Sequence, residues 1–371
     1  MEDINVNMLT AQVLWAVFIL AFAFGALGVR TQFCTMGAIA DVVNFGDQRR
    51  LRMWMLAIGV AVLGFNLLVA QGSFVADRTL YGGDRWLWAS ALVGGAMFGF
   101  GMVLASGCGS RNLQRLGSGS LKALVVLVVM GLSAWMTLRG LTAVLRVNSV
   151  DAWAITLSTP QDLPSVLASA LGLSTGQVAL GLGVLVGGGV IAWVLSAAEG
   201  RERQVLLGGV GVGALLLAVW WVSLQFGHLA EHPETLEEAF LGTASRRGEA
   251  LNFVSPVAQG YEWLVFYTDA GRRTTTGLVA VLGVFFGSLA VHLVRREFRW
   301  EGFRDTADTA RHLVGAVLMG IGGVTAMGCS IGQGLSGIST LGLTSIVALG
   351  AIVAGCVAGL RFLSWQLERS M

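Results

Sequence analysis

Residues 94–110 read GGAMFGFGMVLASGCGS, and residues 315–330 read GAVLMGIGGVTAMGCS. At an offset of 221 positions, Gly94, Gly99, Gly101, Ala105, Gly107 and Cys108 meet the identical residues Gly315, Gly320, Gly322, Ala326, Gly328 and Cys329. A repeat that sets one cysteine in each half of an apolar chain marks where a site should lie. It points to a pore or carrier whose central chemistry is done by thiols.

The surrounding composition is that of a membrane protein. Apolar residues make up 55% and charged residues 12% of the chain, the latter about half the ~25% usual in soluble domains. Glycine contributes 52 of 371 residues, roughly twice the average of ~7%. Several windows reach the ~20 apolar residues that cross a hydrocarbon core. Nine spans are predicted, near 11–29, 52–71, 86–105, 120–145, 176–197, 204–227, 275–294, 309–328 and 341–365. The fold class is therefore an all-α polytopic membrane protein surrounded by lipid. A net charge of +2 gives no nucleic-acid role. The start, MEDINVNMLTAQ, lacks the basic region of a cleaved signal peptide, so the first span is expected to be retained.

Arginine placement predicts the orientation. Arg30, Arg49, Arg50 and Arg52 follow span one, and Arg111, Arg115 and Lys122 follow span three. Arg201 and Arg203 follow span five, and Arg295, Arg296, Arg299, Arg304 and Arg311 follow span seven. These loops share one side, which the positive-inside rule makes cytoplasmic. The opposite loops carry the acidic stretch AEHPETLEEAF at 230–240, with Asp77, Asp84, Asp151 and Asp162. The N-terminus is expected outside and the C-terminus inside.

The offset of 221 maps spans two, three and four onto seven, eight and nine. Their ordinal numbers differ by five, so corresponding spans would run in opposite directions. A single membrane transport domain over 1–371 results: repeat one at about 11–146, a linker span at about 176–197, and repeat two at about 204–367. Register breaks only at 228–250, a loop-like acidic insertion. Inverted repeats in carriers place the substrate near the bilayer midplane, at broken helices. Two segments, 31–45 and its counterpart 251–263, are too apolar for solvated loops and too short to cross, and 109–120 and 330–340, after each Gly-Cys, are rich in Gly, Ser and amide side chains. Non-helical backbone at membrane depth persists only inside protein or against a cavity. These four are expected to be short re-entrant helices that meet centrally.

The four cysteines differ in weight. Cys356 lies mid-span in AIVAGCVAG and reads as a small buried hydrophobe. Cys108 and Cys329 are paired by symmetry at helix breaks, which favours function. Cys34 also sits at a break, but its mate near Val254–Ser255 is not a cysteine, and the residues alone leave its role open. No CxxC or Cys/His spacing suggests a zinc or iron–sulfur site, so neither metal nor cofactor is expected. His228, His232, His292 and His312 sit near span ends and read as interfacial or solvated groups. No disulfide framework is expected.

Three blocks, RTQFCTMGAIADVVNFGD, LASGCGSRNLQRLGSGSLK and AMGCSIGQGLSG, resemble the signature blocks of the YeeE/YedE family of bacterial sulfur-transport membrane proteins. The resemblance covers nearly the whole chain, with the cysteine blocks in the family's order. It implies an inner-membrane importer of thiosulfate whose path is lined by one cysteine per block, here Cys34, Cys108 and Cys329. The family also contains members linked to selenium metabolism, so the resemblance alone does not name the ion.

Thiosulfate is a dianion with one soft sulfur and three hard oxygens. Helix N-termini and loop N–H groups suit the oxygens. Candidates are the breaks around Gly107, Gly109 and Gly328, with Ser110, Asn112, Ser330 and Gln333 as side-chain donors. Neutral thiols suit the sulfur, and weak bonds let the ion leave as readily as it arrives. Each charge moved against 100 mV costs about 2.3 kcal/mol, so uptake needs a co-ion or a cytoplasmic sulfurtransferase that removes the ion on arrival. With no carboxylate inside the spans, the partner is the favoured expectation. The alternatives are transport of another sulfur- or selenium-containing anion, a sulfur-relay enzyme forming a cysteine persulfide, and a purely structural membrane protein.

Overall fold

In hydrocarbon a chain must satisfy its backbone internally, and the long apolar runs accordingly form helices. A computed structural model describes residues 5–233, 235–269 and 274–370. Helix α1 (Val6–Thr31) is followed by the short α2 (Thr35–Phe45) and by α3 (Arg49–Ala70). Next come α4 (Trp88–Leu104), the short α5 (Gly109–Gly117) and α6 (Leu121–Arg139). A peripheral pair, α7 (Leu141–Asn148) and α8 (Leu163–Leu171), leads into α9 (Thr175–Leu182). A wide-turn segment, Gly183–Gly188, joins α9 to α10 (Gly189–Ser196) as one continuous rod. The second half contains α11 (Arg203–Trp221), the short α12 (Ser255–Val265), α13 (Thr276–Val294) and α14 (Thr306–Thr325). A wide turn at Gly332–Gly337 precedes α15 (Leu343–Ser370). The only strands among the described residues are two antiparallel ladders of two residues per strand, in connecting loops.

Eight stretches among the described residues are long and apolar enough to cross a membrane, against nine expected. The exception is the expected span 309–328. It is the 20-residue helix α14, but Asp308, Arg311 and His312 in its first turns dilute its apolar character. Packing compensates for that. Helix α14 lies between α4 and α6, and α4 also packs along α15.

Glycine sets how close α4 and α14 come. A Cβ on Gly94 would lie 2.5 Å from Ala326 N, and one on Gly315 would lie 2.6 Å from Ala105 N. These two contacts exchange under the 221 offset, as do the partnerships of α4 and α14, while α1 and α11 correspond at a shorter offset because of the break at 228–250. Helix α1 packs on α13 while α3 packs on α11, and α4 packs on α15 while α14 packs on α6. Between lipid-embedded helices, such backbone-to-backbone approach supplies much of the attraction.

Candidate functional site

Each cysteine block builds the same local device. Two residues before the cysteine, Gln32 (φ 56°), Ser106 (φ 56°) and Met327 (φ 59°) adopt the left-handed conformation. That conformation ends a helix and lets a later N–H reach back to an unpaired carbonyl. Phe33 N donates to Gly28 O at 3.0 Å, Gly107 N to Met102 O at 2.8 Å, and Gly328 N to Gly323 O at 2.8 Å. The cysteine then starts a new short helix. Its carbonyl accepts the first bond, from Ala38 N to Cys34 (2.9 Å), Asn112 N to Cys108 (2.9 Å) and Gln333 N to Cys329 (2.8 Å). Three thiols thus stand at three helix N-termini. A fourth short helix, α12, begins without a cysteine. There Asn252 Oδ1 accepts from Phe253 N at 2.7 Å and Val254 N at 3.3 Å.

All three thiols are free and buried. The Cys34 and Cys108 side chains lie near one another despite coming from different blocks. Cys34 Sγ also accepts from Gly37 N at 3.4 Å, and Cys329 Sγ from Gly332 N at 3.3 Å. Ser110 Oγ lies 3.3 Å from Cys108 Sγ. Ser330, next to Cys329, brings the second break onto Cys108. Gly109 is required here, since a Cβ would sit 2.9 Å from Phe253 O of the other half. Gly107, at φ +157°, lets the chain turn into Cys108, and Gly328 leaves room for Gln333, whose Cγ would lie 3.1 Å from an added Cβ.

Asn112 and Gln333 occupy corresponding positions and hold their breaks shut. Asn112 Nδ2 donates to Gly107 O at 2.8 Å and Cys108 O at 3.2 Å. Gln333 Nε2 donates to Ala326 O, while its Oε1 accepts from Ser345 Oγ at 2.6 Å. The Asn112 Nδ2 and both ends of the Gln333 amide thus bond to protein, while Asn112 Oδ1 is buried with no hydrogen-bond partner. Thr35 Oγ1, Trp54 Nε1 and Ser330 Oγ, buried nearby, likewise make no ordinary hydrogen bond. Thr35 follows Cys34, and the Trp54 ring lies against Gly334, where a Cβ would come 2.9 Å from Cζ2. Trp54 and Ser345 carry no local sequence signal, because the site reaches them only through tertiary packing.

Two vestibules flank this centre. The larger, about 750 Å3, is lined by Val6, Arg139, Glu249 and Asn252 and reaches Met327. The smaller, about 380 Å3, is lined by Arg115, Lys122, Arg304 and Arg311 and reaches Ser106. Met327 and Ser106 correspond at the 221 offset, and each lies two residues before its cysteine. His312 differs from expectation. It is buried at 4% exposure, because α14 enters between α4 and α6 before its polar turns end. Cys356 is buried in α15 against the close approach of Gly99, as a packing residue should be.

Helices long and apolar enough to cross a membrane, interrupted by buried thiols near two vestibules, mark a multi-pass membrane transport protein. The chain belongs to the sulphur transport family, whose model matches residues 30–358. It is 27% identical to the thiosulfate transporter TsuA of Escherichia coli over 317 residues, 82% of each chain. It is 24% identical to the thiosulfate transporter TsuA of Spirochaeta thermophila over 349 residues, covering 90% of this chain and 94% of that one. A shorter match, 33% over 85 residues, is to the probable transporter YedE of Salmonella typhimurium and covers 23% and 20%.

Proposed function

We propose that this chain imports thiosulfate across a bacterial inner membrane, handing the anion between Cys34, Cys108 and Cys329. The observation that carries this reading is the threefold break. Three buried thiols start three short helices, and two of them lie near one another, between two vestibules. Helix N-termini offer N–H groups to the oxygens, and thiols offer weak S–H donors to the terminal sulfur. Ser110 and Ser330, against Cys108, add hydroxyl donors. Gly107, Gly109 and Gly328 let the breaks approach one another, while Asn112 and Gln333 act by positioning the breaks rather than by touching the ion. The relatives named as thiosulfate transporters support the choice of ion.

The exchange of helix partners between the two halves supports two inverted repeats in one transport domain over 1–371. Each short helix would enter and leave the bilayer from one side. The arginine-lined vestibule supports a cytoplasmic assignment for that face, with the N-terminus outside and the C-terminus inside. A dianion moving inward works against the membrane potential. Its removal by a cytoplasmic sulfurtransferase would pull transport forward. We read the chain as a carrier rather than a persulfide-forming enzyme, which would need a base against a thiol. Ser110 Oγ is within hydrogen-bond reach of Cys108 Sγ, with Cys34 and Ser330 nearby, and none of the three is a base. Thiosulfate uptake into proteoliposomes tests the reading: Cys108→Ala and Cys329→Ala should each abolish uptake at normal protein levels. Wild-type uptake by Cys108→Ala would refute it.

A further inference from the structure

The smaller vestibule contains chemistry that the thiol path does not use. His312 lines it at 4% exposure. Its Nδ1 faces two acceptors, Asp308 O at 2.8 Å and Asp308 Oδ1 at 3.1 Å, so Nδ1 carries the hydrogen. Nε2 is buried without any partner, and in the neutral ring it is a bare lone pair. Two cations in the same vestibule are also unspent. Arg304 and Arg311 form no ion pair among the described residues, although Arg311 Nε donates to Ala307 O at 3.3 Å.

The other charges facing His312 are accounted for. From α6, Lys122 is 3.0 Å from Asp308 and 3.4 Å from Glu301. From α5, Arg115 reaches Glu301 at 3.6 Å. Asp305 caps α14 by accepting from Asp308 N at 2.6 Å. The Phe303 ring stands edge-on to His312, centroids 5.5 Å apart. Four cations face three carboxylates around a space of about 380 Å3, so the lining is net positive before His312 takes a proton. The loop bearing Glu301 is pinned in place, since Leu121 N donates to Glu301 O at 2.9 Å and Arg299 N to Ser118 O at 3.0 Å.

We propose that this vestibule is a second anion site, in which Arg304, Arg311 and protonated His312 Nε2 hold a doubly charged tetrahedral oxyanion. It rests on the reading of the chain as an anion carrier. The anion and the proton arrive together. A bare Nε2 repels an anion's oxygen, and a protonated one donates to it. Linkage makes the help mutual, so a bound anion favours the proton as much as the proton favours the anion. The occupant is either the transported ion or a free oxyanion from the solution on that face.

The test is titration calorimetry of sulfate into the purified full-length protein at pH 5.5 and pH 8.0. Sulfate is used because it matches charge and shape but lacks the terminal sulfur that the thiols would select. Binding should be about tenfold tighter at the lower pH, within the usual range of coupling between sites. The dependence of the heat on buffer ionisation should show proton uptake with the anion. His312→Gln, which keeps a neutral N–H donor, should bind with no pH dependence. Arg304→Gln combined with Arg311→Gln should weaken binding at both pH values, which keeps the test open if His312→Gln fails to fold. Thiosulfate that displaces sulfate at equal concentration would identify the transported ion as the occupant, and failure to displace it would identify a free oxyanion. Wild-type sulfate binding that is flat with pH, or pH dependence that survives His312→Gln, would overturn the proposal. Thiosulfate uptake by the same wild-type preparation, measured in parallel, separates this failure from failure of the carrier reading.

Discussion

Replacing Asn112 by Ala is expected to loosen the Cys108 break without removing a thiol. Asn112 is fully buried, and its Nδ2 satisfies Gly107 O at 2.8 Å, with a longer bond to Cys108 O at 3.2 Å. Cys108 O keeps the Asn112 backbone N–H at 2.9 Å after the substitution, so the main loss falls on Gly107 O. Leaving one buried acceptor unsatisfied costs about 1–3 kcal/mol. At about 1.4 kcal/mol per tenfold, that is roughly a 5- to 150-fold rise in the population of the opened break. When reclosing is fast, the reactivity of a buried group tracks that population. Alkylation of Cys108, followed by mass spectrometry of its peptide, should therefore speed up by this factor, while Cys356 alkylation stays constant as an internal control. Thiosulfate uptake should fall because Cys108 no longer faces Cys34. Alkylation and uptake both at wild-type levels in Asn112→Ala would refute the bracing role.

Other outcomes are equally specific. Gly315→Leu should reduce the yield of folded protein sharply, since even its Cβ would meet Ala105 N at 2.6 Å and overpacking typically costs about 1–3 kcal/mol; normal yield would contradict the close approach of α4 and α14. Cys356→Ala should retain uptake, because that thiol only fills space in α15, and loss of uptake with intact protein would place it in the path. In intact cells, a membrane-impermeant thiol reagent should label a single cysteine introduced at Leu236 and spare one at Phe303; the reverse pattern would invert the proposed orientation.

The architecture was readable because its cause is repeated in the chain. The Gly-Cys blocks, the apolar runs and the short segments between them correspond to α4, α14 and the four short helices within a few residues. The expected segment 31–45 contains α2, and 251–263 overlaps α12. Helix α14 was harder to class, since burial among neighbours relieves it of the apolarity that a lipid-facing helix needs. Side-chain roles were less legible than positions. Asn112 and Gln333 were expected as anion donors, yet their amide nitrogens donate to carbonyls four to seven residues away. Residue type cannot distinguish an amide that binds a ligand from one that closes a helix end. His312 looked interfacial from its place at a span end, but the depth at which α14 enters decides its burial. Thr35, Trp54 and Ser345 gave no signal, because their significance lies in contacts between segments remote in sequence.

The most direct measurement for the thiol path is the alkylation rate of Cys108 and Cys329 in the wild-type protein with thiosulfate or sulfate present at neutral pH. Thiosulfate, with its terminal sulfur between the thiols, should protect both residues. Sulfate matches the charge and oxygens but leaves the thiols without a soft partner, so it should protect far less. Equal protection by the two anions would mean that helix termini alone recognise the ion and that Cys108 and Cys329 are bystanders.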